Sequence, residues 1–195
     1  MSTLLRKHNF DLVYHSQSVF RLILEAMSNP ARIIEIGKYA DKLYGNDPAL
    51  LAVALTLLDN EICFSTCGNS GLADEVESLT LAANTPLESA DFIFVSEQGE
   101  LENAIESAKC GTLSDPHKSA MVIIQNDGEP IFRLSLSGPG INGQVEIPAT
   151  QTVKDAIDLR DAQQYEYPQG IDLIFISKAG ELFAIPRLTR MEVAR

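Results

Sequence analysis

Apolar residues recur at three- and four-residue spacing between His15 and Asn29, at Val19, Leu22, Ile23, Ala26 and Met27. This predicts an amphipathic helix with Ser16 and Ser18 as caps and Pro30 as its stop. Arg32 to Ile36 is β-branched and strand-like. Asp47-Pro48 then opens a second helix with a cap residue followed by Pro at the first helical position. That helix, Pro48 to Leu58, is apolar nearly all round, which places it at the centre of the core.

Ile62 to Thr66 reads as a short strand, and the acidic stretch Leu72 to Ala83 as an exposed helix with Leu72, Val76, Leu79 and Ala83 on its apolar side. Asp91 to Ser96 is the next strand, and Gly99 to Cys110 the next helix, closed by Gly111. After a loop at Ser114-Asp115-Pro116 come strands at Ala120 to Gln125, Ile131 to Leu136 and Gly143 to Ile147. The Asn126-Asp127-Gly128 turn predicts that the first two form a hairpin. Ala149 to Gln164 is helical, with Val153, Ala156, Ile157 and Arg160 along one side. Ile171 to Ser177 and Leu182 to Ile185, separated by Lys178-Ala179-Gly180, make a second hairpin signal.

No repeat, linker or composition shift divides the chain, so residues 1–195 read as a single α/β domain. Its sheet is expected to be mixed, since hairpins demand antiparallel pairs while helix-linked strands run parallel. At 195 residues and 45% hydrophobic content, such a domain can bury its own core.

Composition narrows the function classes. Fifteen lysines and arginines against 27 carboxylates give a net charge of −12, which disfavours nonspecific binding to nucleic acid or to an anionic membrane and leaves room only for a local basic pocket. Met1 to Phe10 carries Arg6, Lys7 and His8 with no apolar stretch behind them, and the longest apolar run, Ala49 to Leu58, is half of the ~20 residues that cross a bilayer. A soluble, cytoplasmic protein is expected. Cys63, Cys67 and Cys110 cannot all pair, and with His8, His15 and His117 scattered they match no redox or metal pattern. No metal and no cofactor is expected.

Gly138-Pro139-Gly140-Ile141-Asn142-Gly143 satisfies G-x-G-x-x-G, but Gln144 to Ile147 after it is strand-like, where a dinucleotide site needs a helix. It reads as a tight interstrand turn. No P-loop and no nucleophile elbow occurs, and Glu75/Glu77 and Asp158/Asp161 read as solvated helix faces. No catalytic set stands out. At the C-terminal end, Asp172 starts an apolar strand and Arg187 follows Pro186 at the end of the next. Two readings stand: Asp172 caps a turn or pairs with Arg187 across the hairpin, or Arg187, Arg190 and Arg133 form a basic cluster for a carboxylate, a phosphate or an acidic partner.

Several blocks carry a resemblance. Phe20-Arg21-Leu22 through Ala26-Met27-Ser28-Asn29-Pro30, Leu57-Leu58-Asp59-Asn60, Gly111-Thr112, Leu136-Ser137-Gly138-Pro139-Gly140-Ile141, Tyr167-Pro168-Gln169-Gly170-Ile171-Asp172 and Ala184-Ile185-Pro186-Arg187 resemble, in order, the PhnH family of the bacterial carbon-phosphorus lyase system. The resemblance implies a fold similar to that of pyridoxal-phosphate-dependent transferases, without the cofactor. It implies a homodimer when isolated and a core complex with the G, I and J subunits. That system degrades phosphonates under phosphate starvation, and in its first step methylphosphonate displaces adenine from ATP, with the I subunit as catalyst, supported by G, H and L. Where relatives carry small polar residues after the Pro-Arg pair, this chain has Leu188 and Thr189.

A different class of function remains open at this point: a stand-alone enzyme holding pyridoxal phosphate or a nucleotide in a remnant cleft. That reading draws on Asp172, Lys178 and Arg187 lying near one hairpin. Lys109, Lys118 and Lys178 all follow or sit in turn-like, polar segments, which argues against a Schiff-base role for each, Lys178 being the least unsuitable. A dinucleotide oxidoreductase built on the glycine-rich turn is the third option.

Overall fold

A computed structural model of the chain describes residues 8–193. Its helices are α1 (Tyr14–Ser28), α2 (Gly37–Ala40), α3 (Pro48–Leu57), α4 (Ser70–Thr80), α5 (Leu101–Ser107) and α6 (Gln151–Ala162). Its strands are β1 (Ile34–Glu35), β2 (Cys63–Ser65), β3 (Ala83–Asn84), β4 (Phe92–Val95), β5 (Met121–Gln125), β6 (Phe132–Ser137), β7 (Val145–Ala149), β8 (Asp172–Ile176), β9 (Glu181–Ile185) and β10 (Arg190–Val193). The reading of Met1 to Lys7 lies outside the described residues. No helix among them is long and apolar enough to cross a membrane.

Seven strands form one mixed sheet in the order β1-β9-β8-β5-β4-β2-β3. Only β9 runs against the rest: it is antiparallel to both β8 and β1, while the neighbours from β8 through to β3 pair in parallel. Parallel strands covered on both faces should be continuously apolar, and Phe92–Val95, Met121–Ile124 and Leu173–Ile176 are. Their side chains alternate between two cores. Phe94, Ile123, Ile174 and Ile176 pack with α1, α3 and α4, whereas Ile93, Val95, Val122, Ile124, Leu173 and Phe175 pack with α5 and α6. The result is three layers, helix on sheet on helix. As expected, α3 is central: every residue from Ala49 to Leu55 is buried.

The hairpin expected at Asn126-Asp127-Gly128 does not form. β5 has both edges filled, by β4 and β8, so β6 has nowhere to pair with it. β6 instead joins β7 and β10 in a separate three-stranded antiparallel sheet. Its pattern accounts for this: Leu134 and Leu136 are buried while Arg133 is exposed, the alternation of a sheet with one wet face. The turn residues hold other elements. Asn126 Oδ1 accepts the Thr150 hydroxyl at 2.6 Å, and Asp127 Oδ1 accepts the Lys178 N–H at 2.6 Å. The second hairpin, β8 to β9, forms as expected.

Smaller expectations also change. Ser16 and Ser18 do not cap α1; the Asp11 carboxylate accepts the N–H groups of Val13 and Tyr14, and the Ser18 hydroxyl donates back to Tyr14 C=O. Asp47 does sit at the α3 N-cap, but its carboxylate accepts from Asn69 Nδ2 and not from the helix. α4 is not wholly exposed, since Leu72, Ala73 and Val76 are buried. Three short elements carry no periodicity signal and were not expected: α2, β3 and β10.

Candidate functional site

The glycine-rich segment is an interstrand turn, between β6 and β7. Gly138 has φ +136°, and a Cβ there would sit 2.8 Å from the Leu188 carbonyl oxygen. Only glycine lets this turn close against the Leu188–Thr189 backbone. Gly140 similarly leaves no room for a Cβ, which would lie 2.7 Å from both Pro30 Cδ and Ser28 O at the end of α1.

Between this turn, the C-terminal end of α6, the segment leading into β8 and residues 187–190 lies a cleft of about 690 Å³. Two of the four residues singled out from the sequence, Arg187 and Arg190, line it. Asp172 stands behind Arg187. Arg133 is elsewhere, on the wet face of β6, where it pairs with Glu146 at 3.5 Å. The three arginines therefore do not converge.

Both readings of Asp172 and Arg187 meet here, and the pairing one is realised. Arg187 Nη2 lies 2.5 Å from Asp172 Oδ2, Nε lies 3.2 Å from Oδ1, and the Arg187 backbone N–H donates to Oδ1 at 2.8 Å. The remaining donors reach Pro116 C=O at 3.0 Å and the Ser119 hydroxyl at 2.6 Å. The guanidinium thus ties the start of β8, the end of β9 and the lead-in to β5 together. A bidentate pair of this kind fixes geometry as well as charge.

Arg160 is the residue that the sequence reading placed on the apolar side of α6 without a role. It is only 2% exposed and lines the cleft. Nε and Nη2 pair with Asp161 at 2.9 and 2.8 Å, while Nη1 and Nη2 donate to the carbonyls of Pro186 (3.2 Å) and Thr189 (2.7 Å). An arginine in step with Val153, Ala156 and Ile157 was the available signal: a charge on a buried stripe must find fixed acceptors. The Arg190 side chain, by contrast, is exposed and makes no hydrogen bond or ion pair among the described residues. Next to it, Thr189 is 2% exposed and its Oγ1 is the one buried side-chain polar atom among them without a partner. Leaving a hydroxyl in that state costs about 1–3 kcal/mol.

Tyr165 lines the same cleft, and burial, reinforced by Cys110 and opposed by Arg160, pushes its phenol up to about 12. Cys67 lies apart from it; burial, with Glu100 nearby, pushes that thiol up to about 11, which makes it a poor nucleophile.

Among the described residues no lysine lines the cleft. Lys178 sits at the β8–β9 turn, the opposite end of those strands from Asp172 and Arg187, about 17 Å away for five residues of strand. The juxtaposition behind the pyridoxal reading is therefore not made. Lys178, Lys109 and Lys118 each pair with a carboxylate, of Asp127, Asp91 and Asp115 respectively. Asp158 and Asp161 pair with Lys154 and Arg160 and not with each other. Among the described residues no three His, Cys, Asp or Glu side chains group as metal ligands would.

The profile of a family described as bacterial phosphonate metabolism protein (PhnH) matches residues 8–192. The chain is also similar to the alpha-D-ribose 1-methylphosphonate 5-triphosphate synthase subunit PhnH of Rhizobium meliloti (strain 1021). The two are 26% identical over 189 residues, which span 93% of this chain and 92% of that relative.

Proposed function

Because the chain belongs to the PhnH family of bacterial phosphonate-metabolism proteins, we propose that it is a non-catalytic subunit of the assembly that makes ribose 1-methylphosphonate 5-triphosphate. The observation that carries this reading is the match over nearly the full length of both this chain and a relative whose name is that of a synthase subunit. In the reaction, a phosphonate oxygen forms a bond to ribose C1′ of ATP, the bond from C1′ to adenine breaks, and adenine leaves with a proton. This chain supports that transfer in the cytoplasm through contacts with the G, I and J subunits and with a second copy of itself.

The site chemistry supports a supporting role. Arg187 and Arg160 spend their donors on protein acceptors, and the carboxylates of Asp161 and Asp172 are each held by one of these arginines. Such groups brace a surface and do not move protons. The ligand- or partner-contact residues of this reading are accordingly Arg190, with Asp172 and Arg187 as its frame; Arg133 offers an acidic partner a separate point of contact. Strands from both ends of the sequence interleave in one sheet, β1 beside β9 and β5 beside β8, which supports treating residues 1–195 as one unit. The three layers and the largely parallel sheet support kinship with the fold of pyridoxal-phosphate-dependent transferases.

Deletion of the gene should abolish growth on methylphosphonate as sole phosphorus source while leaving growth on phosphate normal, with rescue by the wild-type chain. Unimpaired growth on methylphosphonate after deletion would end this reading.

A further inference from the structure

We propose that the cleft between the α6 C-terminus, the β6–β7 turn and the segment 187–190 is a binding site for an organic phosphate or phosphonate of about nucleotide size, its anionic group held by Arg190. The site goes beyond the subunit reading, because it belongs to the isolated chain and needs no partner. Four observations point to it.

First, the charge pattern reverses here. Among the described residues, three basic side chains, Arg160, Arg187 and Arg190, line the cleft against one carboxylate, in a chain where carboxylates outnumber lysines and arginines 27 to 15. The one carboxylate, Asp161, is spent on Arg160, and Asp172 behind the wall is spent on Arg187. Of the three lining arginines, Arg190 alone has no ion pair among the described residues.

Second, Arg190 is held on a strand paired along its length with β6. It opens β10 and lies directly opposite Ser137 of β6, so both side chains stand on the same face of the small sheet and both line the cleft. A guanidinium beside a hydroxyl offers donors for the three oxygens of a phosphate or phosphonate group.

Third, Thr189 leaves its hydroxyl unpaired in the wall of this same cleft, at the only such position among the described residues. Buried hydroxyls are ordinarily satisfied, and an entering ligand supplies the missing partner.

Fourth, the remaining walls are of the kind that accept an organic body. Tyr165, Tyr167, Ile171 and Leu188 present rings and aliphatic surface, and about 690 Å³ falls within the usual ~300–1,000 Å³ of small-molecule sites. Arg160 and Arg187 keep those walls in place through bonds to backbone carbonyls.

Titration calorimetry on the full chain, with ATP as probe, tests this. Saturable binding is expected. Arg190→Glu should weaken it by about tenfold or more without lowering the thermal midpoint, and Thr189→Val by a smaller factor of about three. Arg133→Glu makes the same change of charge outside the cleft and should leave affinity unaltered. No saturable binding at millimolar ATP would overturn the proposal. So would equal weakening by Arg190→Glu and Arg133→Glu, which signifies diffuse charge, or a glutamate-rich peptide binding through Arg190 more tightly than ATP, which makes the cleft a protein-docking groove. A chain that binds ATP in this way yet whose deletion leaves growth on methylphosphonate intact would keep the site and remove only the subunit reading.

Discussion

In the seven-stranded sheet, β4, β5 and β8 bury both faces, and what holds them is apolar contact: Phe64, Phe94, Phe175 and Ile123 are fully buried, and the rings of Phe175 and Phe183 stack at 5.0 Å. In the three-stranded sheet, β6 and β7 bury one face only, β10 has no fully buried residue, and the segment that leads into β10 is fastened by charge. Arg160 reaches from α6 to the carbonyls of Pro186 and Thr189, and Arg187 at the head of the segment is clamped by Asp172. The difference is one of direction and reach. Apolar burial is non-directional and tolerant of small shifts, whereas a guanidinium bonded to named carbonyls fixes a loop in one place. The large sheet makes the scaffold, and the small one makes a surface of defined shape.

Four expected outcomes would break or sharpen this contrast. The largest is Phe175→Ala, a cavity at the centre of the scaffold, which should cost about 3–5 kcal/mol and lower the midpoint of a single cooperative thermal transition. Arg160→Met keeps the bulk but strips Asp161 and the carbonyls of Pro186 and Thr189 of their donor, at a cost of about 2–3 kcal/mol. Its effect should be local: amide exchange should speed up over 186–193 while β4, β5 and β8 stay protected. If both variants raise exchange uniformly across the two sheets, the contrast drawn here fails.

Asp172→Asn comes next, at about 2 kcal/mol, since it leaves the largely buried Arg187 guanidinium, 19% exposed, without its countercharge. Differential scanning calorimetry would read it. The smallest effect concerns pH. Cys67 and Tyr165 hold their protons more tightly in the fold than their ordinary values of 9.0 and 10.0, so the stability they contribute is complete below pH 9 and is lost as pH rises through about 11 and 12. Thermal midpoints measured from pH 8 upward should therefore begin to fall near pH 9, and Cys67→Ser should delay that fall.

The two regions also differed in how much of them the amino-acid pattern revealed. Helices α1, α3, α5 and α6 and strands β4, β5, β8 and β9 follow from periodicity, because each buries a regular stripe or run. The β8–β9 hairpin follows from Lys178-Ala179-Gly180. The β5–β6 connection was misread because Asn126-Asp127-Gly128 has the composition of a hairpin turn, and turn chemistry is local while the occupancy of β5's two edges is not. β10 and the cleft were hidden for the same reason: Arg160 and Thr189 are 29 residues apart in the chain, and no spacing rule joins them. Asp172 with Arg187 was visible because the hairpin brings their strands together. Arg190 was visible only as a nearby cation, and Arg133, grouped with it by charge alone, lies at the far end of the same sheet face, four residues along β6 from Ser137 and outside the cleft.

The most direct test of the account is native mass spectrometry of this chain co-expressed with the G, I and J subunits. The account predicts that the chain is found in one assembly with all three. Recovery of the chain only by itself, with the other subunits assembled without it, would contradict the account.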